Sequence, residues 1–354
     1  MVEPQVVIEA DLRGWTHGER VRQASFQGIR EDKSPAEVVR EVAAMPPTKN
    51  AAPARRKAMK KTAQTAAPYS VKLTNPDRVY WDDVGVTKER LADYYVQVWD
   101  YMRPHVVGRV LALLRCPEGV TGECFFQKHV SAGVTQNKLR LVAEPDGDKS
   151  ITVDDLDGVI ALVQAGALEI HVRGSSANDL ERCDRLVFDL DPGPGITWPD
   201  IKAAAGEVRD RLANDHLVSF LKTTGGKGLH VVVPIRAADW DIAKDYARQL
   251  ATGLAMDKPT RYTATLAKKA RANRIFVDYL RNSREATAVA AYSTRARPGA
   301  PISVPIAWEE LKTLAAPNRY SVLNIGQRLS RLRKDPWADM SKVKQALPGG
   351  RGKK

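Results

Sequence analysis

Arg185-Leu186-Val187-Phe188-Asp189-Leu190-Asp191-Pro192 is the stretch that most narrows what this chain can fold into. A short apolar run stops at Pro192-Gly193-Pro194-Gly195, the signature of a buried strand ended by a turn. Side chains alternate along a strand. Asp189 and Asp191 therefore share one face, and Phe188 and Leu190 take the other. Two carboxylates about 6 Å apart repel by roughly 3 kcal/mol at an effective dielectric of ~20. Water, an arginine or a divalent metal must offset that.

A second constrained stretch follows: Lys222-Thr223-Thr224-Gly225-Gly226-Lys227-Gly228-Leu229-His230, a glycine turn between two apolar runs. Glycines let backbone approach a ligand closely and present N–H groups to an anion. It is not a Walker A loop, which needs Gly-x-x-x-x-Gly-Lys-Ser/Thr: Lys227 is followed by Gly228, and Leu221 stands five before Gly226. The pair of stretches suggests an acidic set for metals and a basic turn for phosphates. Asp278, alone in the apolar run Ile275-Phe276-Val277-Asp278-Tyr279-Leu280, is a third carboxylate that needs a cation if buried. Residues 258–297 around it hold ten basic and two acidic residues, and Arg271, Arg281 and Arg295 are the candidates to grip phosphates.

The whole chain has 354 residues and a formal charge of +13, which points to a polyanionic partner, nucleic acid before an acidic membrane surface. No run is long and apolar enough to span a bilayer, and Met1-Val2-Glu3-Pro4 lacks the features of a signal peptide. We expect an intracellular protein with no membrane partner. Cys116, Cys124 and Cys183 are too few and odd in number for a disulfide framework, and Cys116, Cys124 and His129 do not have zinc-site spacing.

Along the chain, Val6–Ala10 reads as a strand and Ser34-Pro35-Ala36-Glu37 as a capped helix start. Residues 43–68, rich in Ala, Pro, Lys and Arg, read as a linker. A larger domain is expected over 69–342, with a strand at Val71–Thr74, a turn at Asn75–Arg78 and a helix N-capped by Thr87. A strand is expected at Val110–Leu114, and a helix and a strand with His171 over Leu156–Val172. Helices are expected from Thr197, from Ala238, from Trp308 and around Val322–Leu332. Residues 343–354 read as a disordered basic tail. Adjacent Phe125 and Phe126 beside Lys128 place at least one ring away from a core, where it suits base stacking.

Taken in order, Phe188–Pro192, Thr224–His230 and Val277–Asn282 resemble the polymerase domain of bacterial ATP-dependent DNA ligase D, of the archaeo-eukaryotic primase superfamily. The resemblance extends to Asn75–Arg78, Phe125–Lys128, Tyr292-Ser293-Thr294-Arg295 and Asp335-Pro336-Trp337, and so spans about residues 69–342. Arg30, Asp32 and Lys33 are similar to the last motif of a ligase OB-fold domain, although no Lys-x-Asp-Gly nucleophile motif is present. Residues 1–42 are then expected to be the end of such a domain, with a separate partner-docking segment as the alternative.

The resemblance implies a mixed α/β primase-type fold, with an RRM-like catalytic sheet and an N-terminal α/β subdomain. It implies that Asp189, Asp191 and Asp278 hold two divalent metals, Mn²⁺ or Mg²⁺, for two-metal nucleotidyl transfer. Thr224, Lys227, His230 and Arg295 would contact the incoming nucleoside triphosphate, with His171, Arg271 and Arg281 close by; some relatives carry glutamine in place of Arg281. Phe125 and Phe126 would stack on template or base, and Asn75, Arg78 and Lys88 would hold the 5′-phosphate across a gap.

The implied activity is template-directed gap filling and 3′-end extension, ribonucleotides preferred, in bacterial non-homologous end joining. The implied partners are DNA ends or gapped duplex with a 5′-phosphate, nucleoside triphosphates, a Ku-type end-binding protein and a ligase domain in the full-length chain. The implied location is the cytoplasm, at the nucleoid. A de novo primase and a non-catalytic end-bridging module are the alternatives.

Overall fold

The computed structural model describes residues 7–12, 24–30, 68–129, 136–145 and 147–348. The chain divides into two compact units, residues 1–64 and 65–354. In the first, β1 (Val7–Leu12) and β2 (Ala24–Arg30) pair antiparallel, with a register shift between Glu9 and Ala10. The helix expected from Ser34, the motif residues Asp32 and Lys33, and residues 43–67 lie outside the described residues.

The second unit opens with β3 (Val79–Trp81) and β4 (Val86–Thr87), then α1 (Lys88–Val106). Thr87 caps α1 by accepting the Arg90 N–H. The strand expected at Val71–Thr74 does not form. Thr74 shows why: its N–H donates to the Gln164 side chain and its carbonyl accepts from Lys88 Nζ, so no ladder is needed.

One sheet contains β5 (Arg109–Arg115), β6 (Phe125–Gln127), β7 (Arg140–Ala143), β8 (Lys149–Thr152), β9 (Ala167–Ser176) and, from further along, Thr287–Val289. Helix α2 (Leu156–Gln164) lies between β8 and β9 in sequence. Leu91, Tyr95 and Val98 of α1 join Ile160 and Leu162 of α2 and Leu111 and Ile170 of this sheet in one core.

The other sheet contains β10 (Arg182–Pro192), β11 (Phe220–Thr223), β12 (Leu229–Asp239), β13 (Tyr262–Thr263) and β14 (Ile275–Asp278). The Thr287–Val289 strand of the first sheet is β15, and β16 (Pro305–Ile306) completes the second in the order β13-β14-β10-β12-β11-β16. Helices α3 (Trp198–Asn214) and α4 (Trp240–Asp257) cover one face of it; short α5 (Ile325–Leu329) follows β16. Thr197 and Asp200 close the expected capping box on α3. The helix expected from Trp308 is a single turn over Glu309–Lys312.

Alternation on β10 is as the sequence implies. Leu186, Phe188 and Leu190 enter the core with α3 and α4, whereas Val187 belongs to the core of the other sheet. Arg185, Asp189 and Asp191 share Val187's phase and so face away from α3 and α4.

Two expectations are corrected here. Cys116 and Cys124 form a disulfide, and Cys183 is buried and free. Leu113↔Gln127, Leu114↔Phe126 and Arg115↔Phe125 are partners across β5 and β6, so the next pair outward is Cys116 with Cys124, Cα atoms 4.3 Å apart. Residues 343–348, expected in the tail, instead dock: Gln345 bonds the backbone of Val218 and Pro234, and Leu347 enters the α3/α4 core. Residues 349–354 are outside the described set. Among the described residues no helix is long and apolar enough to cross a membrane.

Candidate active site

Three carboxylates meet where β10 runs beside β14. Asp189 is directly opposite Asp278, and Asp191 lies two residues further along. On the other side of β10, Asp189 is opposite His230 of β12, which is in turn opposite Lys222 of β11. Four neighbouring strands thus deliver polar and charged side chains to one spot that is only 7% exposed at Asp189 and 5% at Asp278.

An imidazole and two guanidinium groups answer the acids individually. His230 Nε2 is 3.3 Å from Asp189 Oδ1, and Arg281 Nε is 3.2 Å from Asp278 Oδ2 and 3.5 Å from Asp189 Oδ2. Arg271 reaches Asp191 at 3.8 Å while its guanidinium stacks 4.0 Å from the Phe276 ring. Burial works to raise Asp189, but His230, Arg281 and Lys222 hold it well below the carboxylate range. Burial and then the Asp189 charge push Asp191 up to about 7, and burial raises Asp278. His230 is pushed down to about 4 by burial and the Lys222 charge, so its imidazole is neutral.

The donor set fits a hard divalent cation. Asp189 Oδ1 is buried without a hydrogen bond, and three oxygen ligands compete for too few cations. Among the described residues no three Asp, Glu, His or Cys side chains stand as a ready-made metal cage. Arg281 is what links Asp189 and Asp278, so a bound metal has to displace it or share them with it.

Asp189 and Asp191 line a cavity of about 710 Å³ that gathers all seven expected nucleotide contacts: His171, Thr224, Lys227, His230, Arg271, Arg281 and Arg295. Lys268 and Arg297 also line it and were not anticipated. The glycine turn is geometrically enforced. Gly225 has φ +66°, and a Cβ on Gly228 would lie 2.3 Å from the Leu190 carbonyl. Thr224 Oγ1 accepts from the N–H groups of Gly226 and Gly228 at 3.2 and 3.3 Å. Its hydroxyl braces the turn that lines the cavity. Lys227 is exposed on the tip.

Three positioning residues escaped the sequence reading. Buried Glu169 accepts from His171 at 2.8 Å, from Arg295 at 3.0 Å and from the Ala296 N–H at 2.9 Å. Burial tends to raise its pKa, but the His171 hydrogen bond and the Arg295 charge bring it down to about 2. Buried Lys222 donates to Ser303 Oγ at 2.8 Å. Asn282 accepts from the Val187 N–H and donates to the Val187 carbonyl at 2.7 and 2.9 Å, which prolongs the β14 edge of β10 with a side chain. Each owes its role to a partner far away in sequence, Arg295, Ser303 or Val187, which no local pattern reveals.

The aromatic pair and the 5′-phosphate group lie outside the acid cavity's lining. Phe125 and Phe126 are both exposed, at 40% and 64%; Arg115 sits 5.3 Å over the Phe125 ring and Phe126 meets His171 edge-on at 5.5 Å. Asn75, Arg78 and Lys88 converge at the start of α1: the Asn75 carbonyl accepts the Arg78 N–H, and the Arg78 carbonyl accepts the Lys88 N–H. Arg78 is partly engaged by Glu118 at 3.2 Å, while buried Lys88 donates to the Thr74 carbonyl. Burial and the Arg78 charge lower the Lys88 pKa.

Residues 87–337 match the family described as LigD, primase-polymerase domain. The multifunctional non-homologous end joining protein LigD of Pseudomonas aeruginosa is 38% identical over 352 residues, 98% of this chain and 41% of that protein. Its namesake from Mycolicibacterium smegmatis is 33% identical over 246 residues, 68% of this chain and 32% of that protein. The chain thus spans well under half the length of these relatives. The solved polymerase domain of Mycobacterium tuberculosis ligase D, in complex with DNA, superimposes with a TM-score of 0.68 at 32% identity, covering 74% of this chain and 95% of that one.

Proposed function

The chain belongs to the LigD primase-polymerase family, and we propose from this that it is a template-directed nucleotidyltransferase that fills gaps and extends 3′ ends in non-homologous end joining, with ribonucleotides preferred. The observation that carries the reading is the opposition of Asp189 and Asp278 on adjacent strands, with Asp191 beside them, at the mouth of a cation-lined cavity. A pure DNA-binding surface has no use for three clustered acids facing a polyanion.

Asp189, Asp191 and Asp278 would hold the metals, Mn²⁺ or Mg²⁺. Two such ions would lower the pKa of the primer 3′-hydroxyl and stabilise charge on the leaving pyrophosphate. The protein's own part is positioning. Lys227, Arg295 and Arg297 neutralise a triphosphate, and the braced glycine turn fixes Lys227 relative to β10. Neutral His230 packs its Nε2 3.3 Å from Asp189 Oδ1, an oxygen with no hydrogen bond that would be available to a metal. Phe126, on the same side as His171, offers a base-stacking ring. Arg78 and Lys88, tied through the backbone to Asn75, would form a separate group for a 5′-phosphate across the gap.

The alignment with the Pseudomonas aeruginosa protein reaches into residues 1–64, beyond the polymerase match. It supports reading residues 1–42 as the end of a ligase OB-fold domain. A ligase domain and a Ku-type end-binding protein are the partners we propose for the full-length protein at the nucleoid.

The test is primer extension on a gapped duplex bearing a 5′-phosphate, with Mn²⁺ and either ribo- or deoxyribonucleotides, comparing wild type with Asp189→Ala. We expect metal-dependent, template-matched extension that vanishes in the variant. DNA binding without extension by the wild type would replace the polymerase with an end-bridging module; chain initiation without a primer would make it a primase.

A further inference from the structure

The opposite end of β10 carries a charge that the polymerase reading does not use. Arg185 is only 9% exposed, its Nε has no hydrogen-bond partner, and among the described residues no carboxylate lies within ion-pair distance of its guanidinium. Its neighbours differ. Arg109 is held by Asp184, and Arg173 by Glu144 at 2.9 Å. Burying a guanidinium without a counter-charge costs several kcal/mol. Burial first, then the Arg109 charge, push the Arg185 pKa down to about 9, with Asp184 opposing only in part.

The backbone places this side chain deliberately. The β10–β12 register slips between Cys183 and Arg185, so Arg185 comes opposite Pro234, which has no N–H to give. Beyond the slip, a cavity of about 430 Å³ opens between the end of α1, β12 and the segment 335–344. Arg185 lines it together with Arg109, Arg236 and Lys344, against two carboxylates, Asp184 and Asp335. Asp184 is already committed to Arg109, and burial raises the pKa of Asp335. Trp337 forms a wall, fixed by its Nε1–H bond to the Leu221 carbonyl and by an edge contact with His105.

This cavity is separate from the acid site. Four residues of strand separate Arg185 from Asp189, about 13 Å. A small cavity of about 20 Å³ has Arg185, Trp337 and Arg281 among its lining residues, and among the described residues the rear and acid cavities share no lining residue. That volume is about the size of one water.

We propose that the rear cavity is a second anion site, which takes the terminal phosphate or diphosphate of a small molecule: inorganic phosphate, pyrophosphate or a nucleoside monophosphate. The buried guanidinium supplies the recognition fork at the floor, and exposed Arg236 and Lys344 supply charge at the rim. A terminal phosphate reaches a buried floor; a diester inside a nucleic-acid strand is held at the rim by its two flanking sugars. The proposal does not rest on the polymerase reading.

Isothermal titration calorimetry in EDTA at fixed ionic strength decides it, with orthophosphate, pyrophosphate, AMP and a 5′-phosphorylated oligonucleotide as titrants. In wild type, pyrophosphate should give two binding events. Lys227→Ala/Arg295→Ala should remove the event at the acid site and spare the other. Arg236→Glu/Lys344→Glu, confined to exposed positions, should weaken the rear event at least tenfold, and Arg185→Met should abolish it. One event only, lost in Lys227→Ala/Arg295→Ala, would overturn the proposal. So would a second event indifferent to the rim reversal, or a rear event seen with the oligonucleotide alone. The rim variant decides the question even if Arg185→Met fails to fold.

Discussion

Strand β10 buries charge at both ends, and the ends treat it in opposite ways. At the Asp189 end every acid has an arginine within 4 Å: Arg281 for Asp189 and Asp278, Arg271 for Asp191. At the Arg185 end the cation has no acid at all within that reach among the described residues. Yet the first end is also under-neutralised, since Asp191 and Asp278 are still pushed toward protonation. Partners within reach therefore do not mean satisfied charge. What distinguishes the ends is what each is short of: the acid end needs positive charge, the arginine end negative charge. One strand between them is bound to the fold by its apolar phase, Leu186, Phe188 and Leu190.

The largest effect should come from the acid end. Asp189→Ala should lower single-turnover extension by ~1,000-fold or more, while gapped-duplex affinity changes by less than about threefold. Equal losses in binding and extension would mean that the acid organises the fold, and the contrast between the two ends would collapse into one of stability.

Glu169→Gln comes next and acts at one remove. It should raise the KM for nucleotide about 30-fold with a smaller change in kcat, because Arg295 loses its ion pair and Ala296 keeps its hydrogen bond. It also has a pH signature. The folded pKa of about 2 lies below the ordinary value of 4.5, so the unfolded chain binds more protons between those limits. The stability is fully present above pH 4.5 and is lost as pH falls toward 2, by roughly 3 kcal/mol. Acid unfolding of the Gln variant should lack that component; an identical acid limb in both proteins would remove Glu169 as the anchor. Lys227→Ala should be milder, about tenfold in KM and shrinking with added salt, since the ammonium is exposed.

How much of this was legible in sequence depended on whether the signal was local. The acid pair on β10, its alternation and the glycine turn are each contained within nine residues, and the structure has them as the sequence implies. The Cys116–Cys124 bridge depends on the β5–β6 register, which no cysteine count reveals. Glu169, Lys222 and Asn282 are single polar residues in apolar surroundings, and their meaning comes from Arg295, Ser303 and Val187, some eighty residues or more away. Thr224 adds a role that the motif alone did not show: it lines the cavity, and its hydroxyl also braces the glycine turn. Arg185 stood at the head of the most informative stretch and was read only as the start of a strand.

That residue gives the smallest and most discriminating prediction. Replacing a buried, unpaired guanidinium with an apolar side chain of similar length removes a desolvation cost and breaks no ion pair or side-chain hydrogen bond. Arg185→Met should therefore raise the stability of the ligand-free protein by about 1–2 kcal/mol in urea unfolding. Saturating pyrophosphate should stabilise the wild type and leave the variant unmoved, because only a site that binds the folded state shifts the midpoint. The comparison is then sharp. If the charge is kept for a ligand, stability and binding change in opposite directions at this end of β10. If Arg185→Met instead loses stability, the guanidinium is a packing element, and the two ends differ in kind as well as in sign.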